Sequence, residues 1–279
     1  MTTQGSIVNR PISWFTHDRA GPMLALMLLI ASALSEELET ALNQCSDRKK
    51  IRCGGIALWT GRRAGETLHM LKLGVGPVRS AGVLERALTA MRVTEILLVG
   101  YGGALDRGLK QGELVIVERA DLLSVDSPET QLEDLIWSGS WILDGAAEML
   151  ALAGTGGLPA RRGAALTSPL IIGAPHQKQI LFEKYHACLV DMETAAVARS
   201  AAAAGVAVRC VRAVSDEAAD DFLSPISYDP ATGLLRRTAR VLAAGNWRER
   251  YFLWRERSLA ARASLRRFLA LYLDRKTVA

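Results

Sequence analysis

"LVDMETAAVARSAAAAGVAVRCVRAVSDEA", Leu189 to Ala218, sets two acids at opposite ends of an otherwise nearly apolar segment. Residues Thr194 to Ala204 have the composition of a buried helix, with Gly205 in the position of a left-handed cap. "VAVRCVRAV" then reads as a central strand, which "SDEAADD" leaves. A helix of that length rises about 16 Å and reverses the chain. Glu193 at the helix start and Asp216 beyond the strand are therefore expected on one edge of a sheet, with the apolar segment as scaffold. Each acid alone also has a plain structural reading. Glu193 suits the first turn of a helix through the macrodipole, and Asp216 suits an N-cap.

Outward from this segment, strands and helices alternate. Met23 to Leu34, "MLALMLLIASAL", reads as a buried strand running into a helix that begins near Ser35, an N-cap type residue. It is too short for a membrane span, and about twenty polar residues precede it where a signal peptide would carry a short basic lead. Apolar runs follow at Gly54 to Trp59 and Glu66 to Leu73, then the turn "GVGPVRSAG" and a helix over Val83 to Met91. "TEILLVGYGGALDRGLKQGELVIVERA" reads as a strand, a glycine-rich turn and a second strand, and a further helix is expected over Trp141 to Leu152. Alternation of this kind predicts an α/β fold, a single domain with a central, mostly parallel mixed sheet flanked by helices. Residues 21–240 form that domain, after an N-terminal extension over 1–20 and before a basic helical tail over 241–279.

Composition narrows the chemistry. About half of the 279 residues are apolar, enough for a substantial core. Cys45, Cys53, Cys188 and Cys210 are scattered, and His17, His69, His176 and His186 have no metal-ligand spacing, so neither zinc nor a disulfide framework is expected. No Gly-x-Ser-x-Gly elbow or Walker-type lysine loop occurs. From Arg236 onward eleven arginines and one lysine face three acids, a net of +9, which leaves −4 on residues 1–235. A mildly acidic body thus carries the basic tail, and a cytoplasmic setting is expected.

In an open α/β sheet, ligands bind beyond the carboxyl ends of the strands. Three such ends carry polar or glycine residues: "SALSEE" with Glu36 and Glu37, "VGYGG" with Gly100, Gly102 and Gly103, and Ser215-Asp216. The glycines serve either a tight turn or a cradle that lets a ligand approach backbone.

In combination, "VDMETAAVA" and "VRAVSDEAAD", preceded in order by "LGVGPVRSA" and "EILLVGYGGALDRGLKQGELVIV", resemble the superfamily of nucleoside phosphorylases and 5′-methylthioadenosine/S-adenosylhomocysteine nucleosidases. The likeness runs from about Met23 to Asp221. It implies cleavage of the N-glycosidic bond of an adenosine-type nucleoside. Met192 and Glu193 would bind the ribose, Asp216 beside Ser215 would protonate the departing purine, and the segment "SALSEE" would place Glu36 as the activator of water. Ile171 stands where the family has an aromatic against the base. Gly76, Gly100, Tyr101 and Gly102 belong to its two glycine segments. The family's phosphorylases carry an arginine and a small hydroxyl where this chain has Leu98 and Tyr101, which favours water as nucleophile. Phosphorolysis remains the alternative, with Arg62, Arg63 or Arg79 supplying a phosphate site. Beyond inorganic phosphate in that case, no cofactor or metal is implied; a homodimer fits the resemblance.

The tail segment "NWRERYFLWRERSLAARASLRRFLALYL" places Trp254, Ala261, Leu265, Phe268 and Tyr272 near one helical face, and Arg255, Arg262 and Arg266 on another. Such a helix packs on its own domain or a partner, or else lies on an anionic membrane surface. Hopanoid-associated phosphorylases resemble this chain in the Gly-x-Gly-Pro turn, the Asp-Met-Glu segment and a basic C-terminal helix, which implies an adenosylated lipid such as adenosylhopane as substrate. Nucleic acid is not an expected partner.

Overall fold

Strand β5 (Glu95–Ala104) organises the molecule, because it pairs with three other strands. The computed structural model describes residues 27–125, 132, 135–221 and 247–276, with backbone alone over 247–257 and at 276. Along one side, β5 runs parallel to β1 (Leu28–Ser32), which continues through β4 (Glu66–Lys72) and β3 (Ile56–Arg63) to the edge strand β2 (Ser46–Cys53). On its other side β5 is parallel to β10 (Ala207–Asp216), and its last two residues pair with β9 (Leu189–Asp191). Strands β6 (Leu114–Ser124) and β8 (Ala160–Thr167) link β10 back to β9, closing a ring of five strands. Strand β7 (Ile136–Ile142) pairs with β6 outside the ring. The sheet is mixed, as expected, with parallel pairings around β1, β5 and β10 and between β6, β8 and β9.

Period-two alternation sends side chains to two apolar layers. Leu29, Ala31, Ile96, Leu98, Val208 and Cys210 face α2 (Pro77–Ala90) and α5 (Thr194–Ala203). Ile30, Leu97, Val99, Val211 and Ala213 face α1 (Ser35–Leu42), α3 (Ala146–Thr155) and α6 (Trp247–Lys276). The starts of α3 and α2 differ most from the sequence reading. Over 141–152 the chain finishes β7 at Ile142 and begins α3 only at Ala146, after Gly145 in the left-handed region at φ 66°. Helix α2 starts six residues earlier than Val83, at Pro77, whose fixed φ suits a first turn and whose missing N–H is not needed there. Helix α4 (Pro175–Tyr185) and edge strand β2 were not anticipated.

Gly205 does end α5 in the left-handed region, at φ 67°. The glycines of "VGYGG" form no turn, because β5 runs straight through them to Ala104. In α6, Ala261, Leu265, Phe268, Leu269, Tyr272 and Leu273 are buried against the sheet. Arg63 pairs with Asp274 at 2.6 Å, Arg262 with Glu39 at 3.1 Å, and the Tyr272 hydroxyl donates to Glu95 at 3.1 Å. The helix thus packs on its own domain over these residues, and the apolar face proposed for a membrane is already covered there. Trp254 and Arg255 lie outside the described side chains, as residues 1–20 and Met23 lie outside the described chain. Among the described residues no helix is long and apolar enough to cross a membrane.

Candidate active site

A cavity opens where β5 and β10 end and where the chain leaves β1, β4, β8 and β9. Glu193 and Asp216 both line it, together with Met192, Ser215, Tyr101 and Ile171. The two acids that bracket the apolar segment therefore meet, as their spacing required.

Glu193 precedes the first residue of α5 and is held there by Asp191. Asp191 Oδ1 accepts the backbone N–H groups of Glu193 and Thr194, each at 3.2 Å, and the Thr167 hydroxyl at 2.7 Å. These are the orphan donors of a helix start, so Asp191 caps α5 and fixes the residue that opens it. Glu193 Oε1 accepts the Gly76 N–H at 2.9 Å. Gly76, at φ 96°, thus enters the site through its backbone. Burial drives the Glu193 carboxyl up to about 8; Arg212 opposes the shift and Asp191 adds to it.

Arg212 was read only as part of an apolar strand, yet it is the cation that serves Glu193 and Asp191. It is fully buried; its Nε lies 2.9 Å from Asp191 Oδ2, and its Nη2 lies 3.8 Å from Glu193 Oε2 and 2.8 Å from the Thr194 hydroxyl that accepts from it. The Thr194 hydroxyl also bonds Asp191 Oδ2 in a short contact. Asp191, Glu193 and Glu37 gather around this one guanidinium and hold its pKa above the usual arginine value. Nη1 has no protein partner and faces Gly100 and the Glu37 carboxyl.

Glu37, one residue beyond the position expected, is the acid that α1 delivers to the cavity. Its Oε2 accepts the Leu34 N–H at 2.8 Å, the half of a capping box that an acid at the third helical position supplies, and its Oε1 accepts the Tyr101 N–H at 2.9 Å. Burial raises its pKa, with Arg212 the main opposing influence. Glu36 is corrected: a turn of about 100° per residue directs it away from the cavity, toward Arg262 of α6, half-buried and outside the lining.

The glycines of β5 also have a definite task. Gly100 is the cross-strand partner of Arg212 and Gly103 that of Asp216, after a bulge between Val214 and Asp216. A Cβ on Gly100 would collide with Arg212 Nη1 and come within 2.9 Å of Glu37 Oε1, and one on Gly103 would lie 2.8 Å from Asp216 Oδ2. These positions are empty so that charged side chains can fill them. Gly102 lines the cavity, whereas Gly100 stands behind it. Tyr101 touches the cavity, but its ring packs with the layer that contains α1 and α6. Ile171, with Leu170 and Ile172, forms an apolar wall in place of an aromatic.

Asp216 is not an isolated acid. Its Oδ1 lies 2.6 Å from the Ser215 hydroxyl, which also lies 3.2 Å from the Gly102 carbonyl, and its Oδ2 lies 2.5 Å from Lys178 Nζ. Lys178 was missed by the sequence reading, although a lysine three residues before Leu181, on the buried face of α4, breaks the apolar pattern. None of Arg62, Arg63 and Arg79 lines the cavity.

Comparison with known proteins agrees with this architecture. A sequence model described as the Phosphorylase superfamily matches residues 27–243. The chain is 26% identical over 231 residues to a 5′-methylthioadenosine/S-adenosylhomocysteine nucleosidase of Halalkalibacterium halodurans, covering 76% of this chain and 97% of that protein. It is 25% identical over 225 residues to the protein of the same name from Haemophilus influenzae, covering 77% and 96%. Among solved structures, the futalosine hydrolase of Helicobacter pylori superposes with a TM-score of 0.68 at 18% identity, over 90% of this chain and 99% of that one. The nucleosidase of Neisseria meningitidis in complex with methylthio-immucillin-A superposes equally well, at 0.68 and 18% identity, over 88% and 98%.

Proposed function

Because the chain belongs to the phosphorylase superfamily, we propose that its cavity cleaves the N-glycosidic bond of a 5′-substituted adenosine-type nucleoside with water, releasing the free base. The observation that carries this reading is the convergence of Glu193, Asp216 and Glu37 at one cavity, with Arg212 buried behind Glu193 and with Leu170, Ile171 and Ile172 as an apolar wall. Breaking the C1′–N9 bond leaves a cationic sugar and an anionic base. Carboxylates near the sugar suit the first, and an acid at the base suits the second.

Glu193 and Met192 hold the ribose, Asp216 with Ser215 attends the base, and the apolar wall of Leu170, Ile171 and Ile172 packs on the base plane. Glu37 borders the place for the attacking water and its carboxylate takes the proton, with the Arg212 guanidinium buried behind it. Arg212 is already shared among three acids, so a phosphate dianion there would meet net negative charge. Of the other arginines considered for phosphate, Arg63 is held by Asp274. Water is therefore favoured over phosphate. The chemistry draws on protein side chains and calls for no metal or organic cofactor. A homodimer, which the family resemblance implies, is tested by light scattering in solution.

The decisive experiment incubates the protein with methylthioadenosine, adenosylhomocysteine, adenosine and an adenosyl-lipid, with and without phosphate. Release of adenine with free sugar, independent of phosphate, is expected from at least one of them. A sugar 1-phosphate as product would establish phosphorolysis, and no base release from any of the four would overturn the reading.

A further inference from the structure

We infer that Lys178 is the positioning residue through which Asp216 works: it fixes the carboxyl and supplies the proton that Asp216 passes to the departing base. This rests on the glycosidic reading above and goes on to say where the proton comes from.

An acid that assists a leaving base must have a proton to give. Asp216 Oδ2, at 2.5 Å from Lys178 Nζ, is one half of an ion pair, and a carboxylate in an ion pair has none. The proton therefore resides on the lysine. Lys178 is fully buried, and its ammonium is satisfied by Asp216 Oδ2, by the Glu217 carbonyl at 2.7 Å and by the Asp220 carbonyl at 3.3 Å. Three donors meet three acceptors, which fixes Nζ in place. The Ser215 hydroxyl at Oδ1 fixes the other side of the carboxyl. The neighbouring Glu217 carboxylate does not compete, because it is turned to Lys110 Nζ at 3.0 Å and the Gln111 N–H. In α4 the lysine occupies the same buried face as Leu181, a place where an apolar side chain would cost less. Burying a charge at the one carboxyl that borders both α4 and the cavity has a chemical use.

The step balances as follows. The Nζ–H bond breaks as an Oδ2–H bond forms, which turns two buried charges into none. The same proton moves from Oδ2 to N7 of the base as the C1′–N9 bond breaks and its electron pair goes to the base. Adenine leaves neutral, Asp216 is again a carboxylate, and Lys178 is a neutral amine that regains a proton from solvent after the base departs.

Leaving-group dependence tests this on the full chain. Two ribosides with the same 5′ substituent are compared, one losing adenine and one losing 4-nitrophenolate, which departs without a proton. K178Q keeps hydrogen bonding without a transferable proton, and K178R keeps charge and donors in a group that does not give its proton up. For both variants kcat with the adenine riboside is expected to fall by about 100-fold or more, and the loss with the nitrophenyl riboside to be smaller by about tenfold or more. Equal losses on the two ribosides would assign Lys178 a purely structural role. Full adenine activity in K178R would reduce it to a charge clamp, and retained adenine activity in K178Q would remove it from the reaction. Circular dichroism shows which variants are folded, and either folded variant suffices. A wild type inactive on both ribosides overturns the glycosidic reading itself, an outcome separate from these.

Discussion

At Glu36 and Glu37 a single residue decides which acid reaches the cavity. Both open α1, and only helical phase separates them: Glu37 turns inward to the Leu34 and Tyr101 N–H groups and Glu36 outward toward Arg262. E37Q is expected to lower kcat by about 100-fold or more through loss of the base, and E36Q to stay within about threefold; the reverse order in steady-state rates would return the role to Glu36. Glu193 links the site to stability. Its proton is held in the folded protein up to about 8, against 4.5 in an ordinary glutamate. Its contribution is therefore fully present below pH 4.5 and is lost as pH rises toward about 8. E193Q has no such proton to lose, so its melting temperature should gain on that of the wild type between about pH 5 and pH 8 while ribose binding weakens. A difference that stays constant across that range would argue against the raised carboxyl.

Among the elements, strand β5 shows how far sequence reading reaches. Its apolar first half marked it as a strand, and the spacing of Glu193 and Asp216 around α5 and β10 placed both acids at one rim. The glycines of "VGYGG" were legible as unusual but not for their purpose, because the need for them lies across the ladder, in Arg212 and Asp216. Arg212 and Lys178 were hidden for a related reason: each is a lone charge in an apolar element, and its partners come from elsewhere in the chain. Only the fold reveals that they are paired. Gly100→Ala should therefore act on the site and not on a turn. Its methyl would displace Arg212 Nη1 and crowd Glu37, so activity is expected to fall by about tenfold or more with substrate binding less affected. Unchanged kcat in G100A would show that the guanidinium yields without consequence.

Over the whole molecule, the segment that looked like an appended basic tail completes the second apolar layer. Phe268 is fully buried in α6 between the sheet and its neighbouring helices. Phe268→Ala is expected to cost about 3–5 kcal/mol in chemical denaturation, and a loss below about 1 kcal/mol would mean that the body folds without its helix. The spacing of Ala261, Leu265, Phe268 and Tyr272 already marked an apolar face, but whether that face met the protein's own domain, a partner or a membrane was not legible until the sheet that receives it was in place.

The ring formed by β5, β10, β6, β8 and β9 has no free margin along which to part. A nucleoside cannot gain entry by prising such strands asunder without surrendering a whole ladder of bonds. Among the described residues, passage falls instead to the connecting backbone at 73–76 and 168–174, which carries Val75 and the Leu170 to Ile172 wall. Access and the closed ring thereby draw on different stretches of the chain, and Glu193, between β9 and α5, is where the two join.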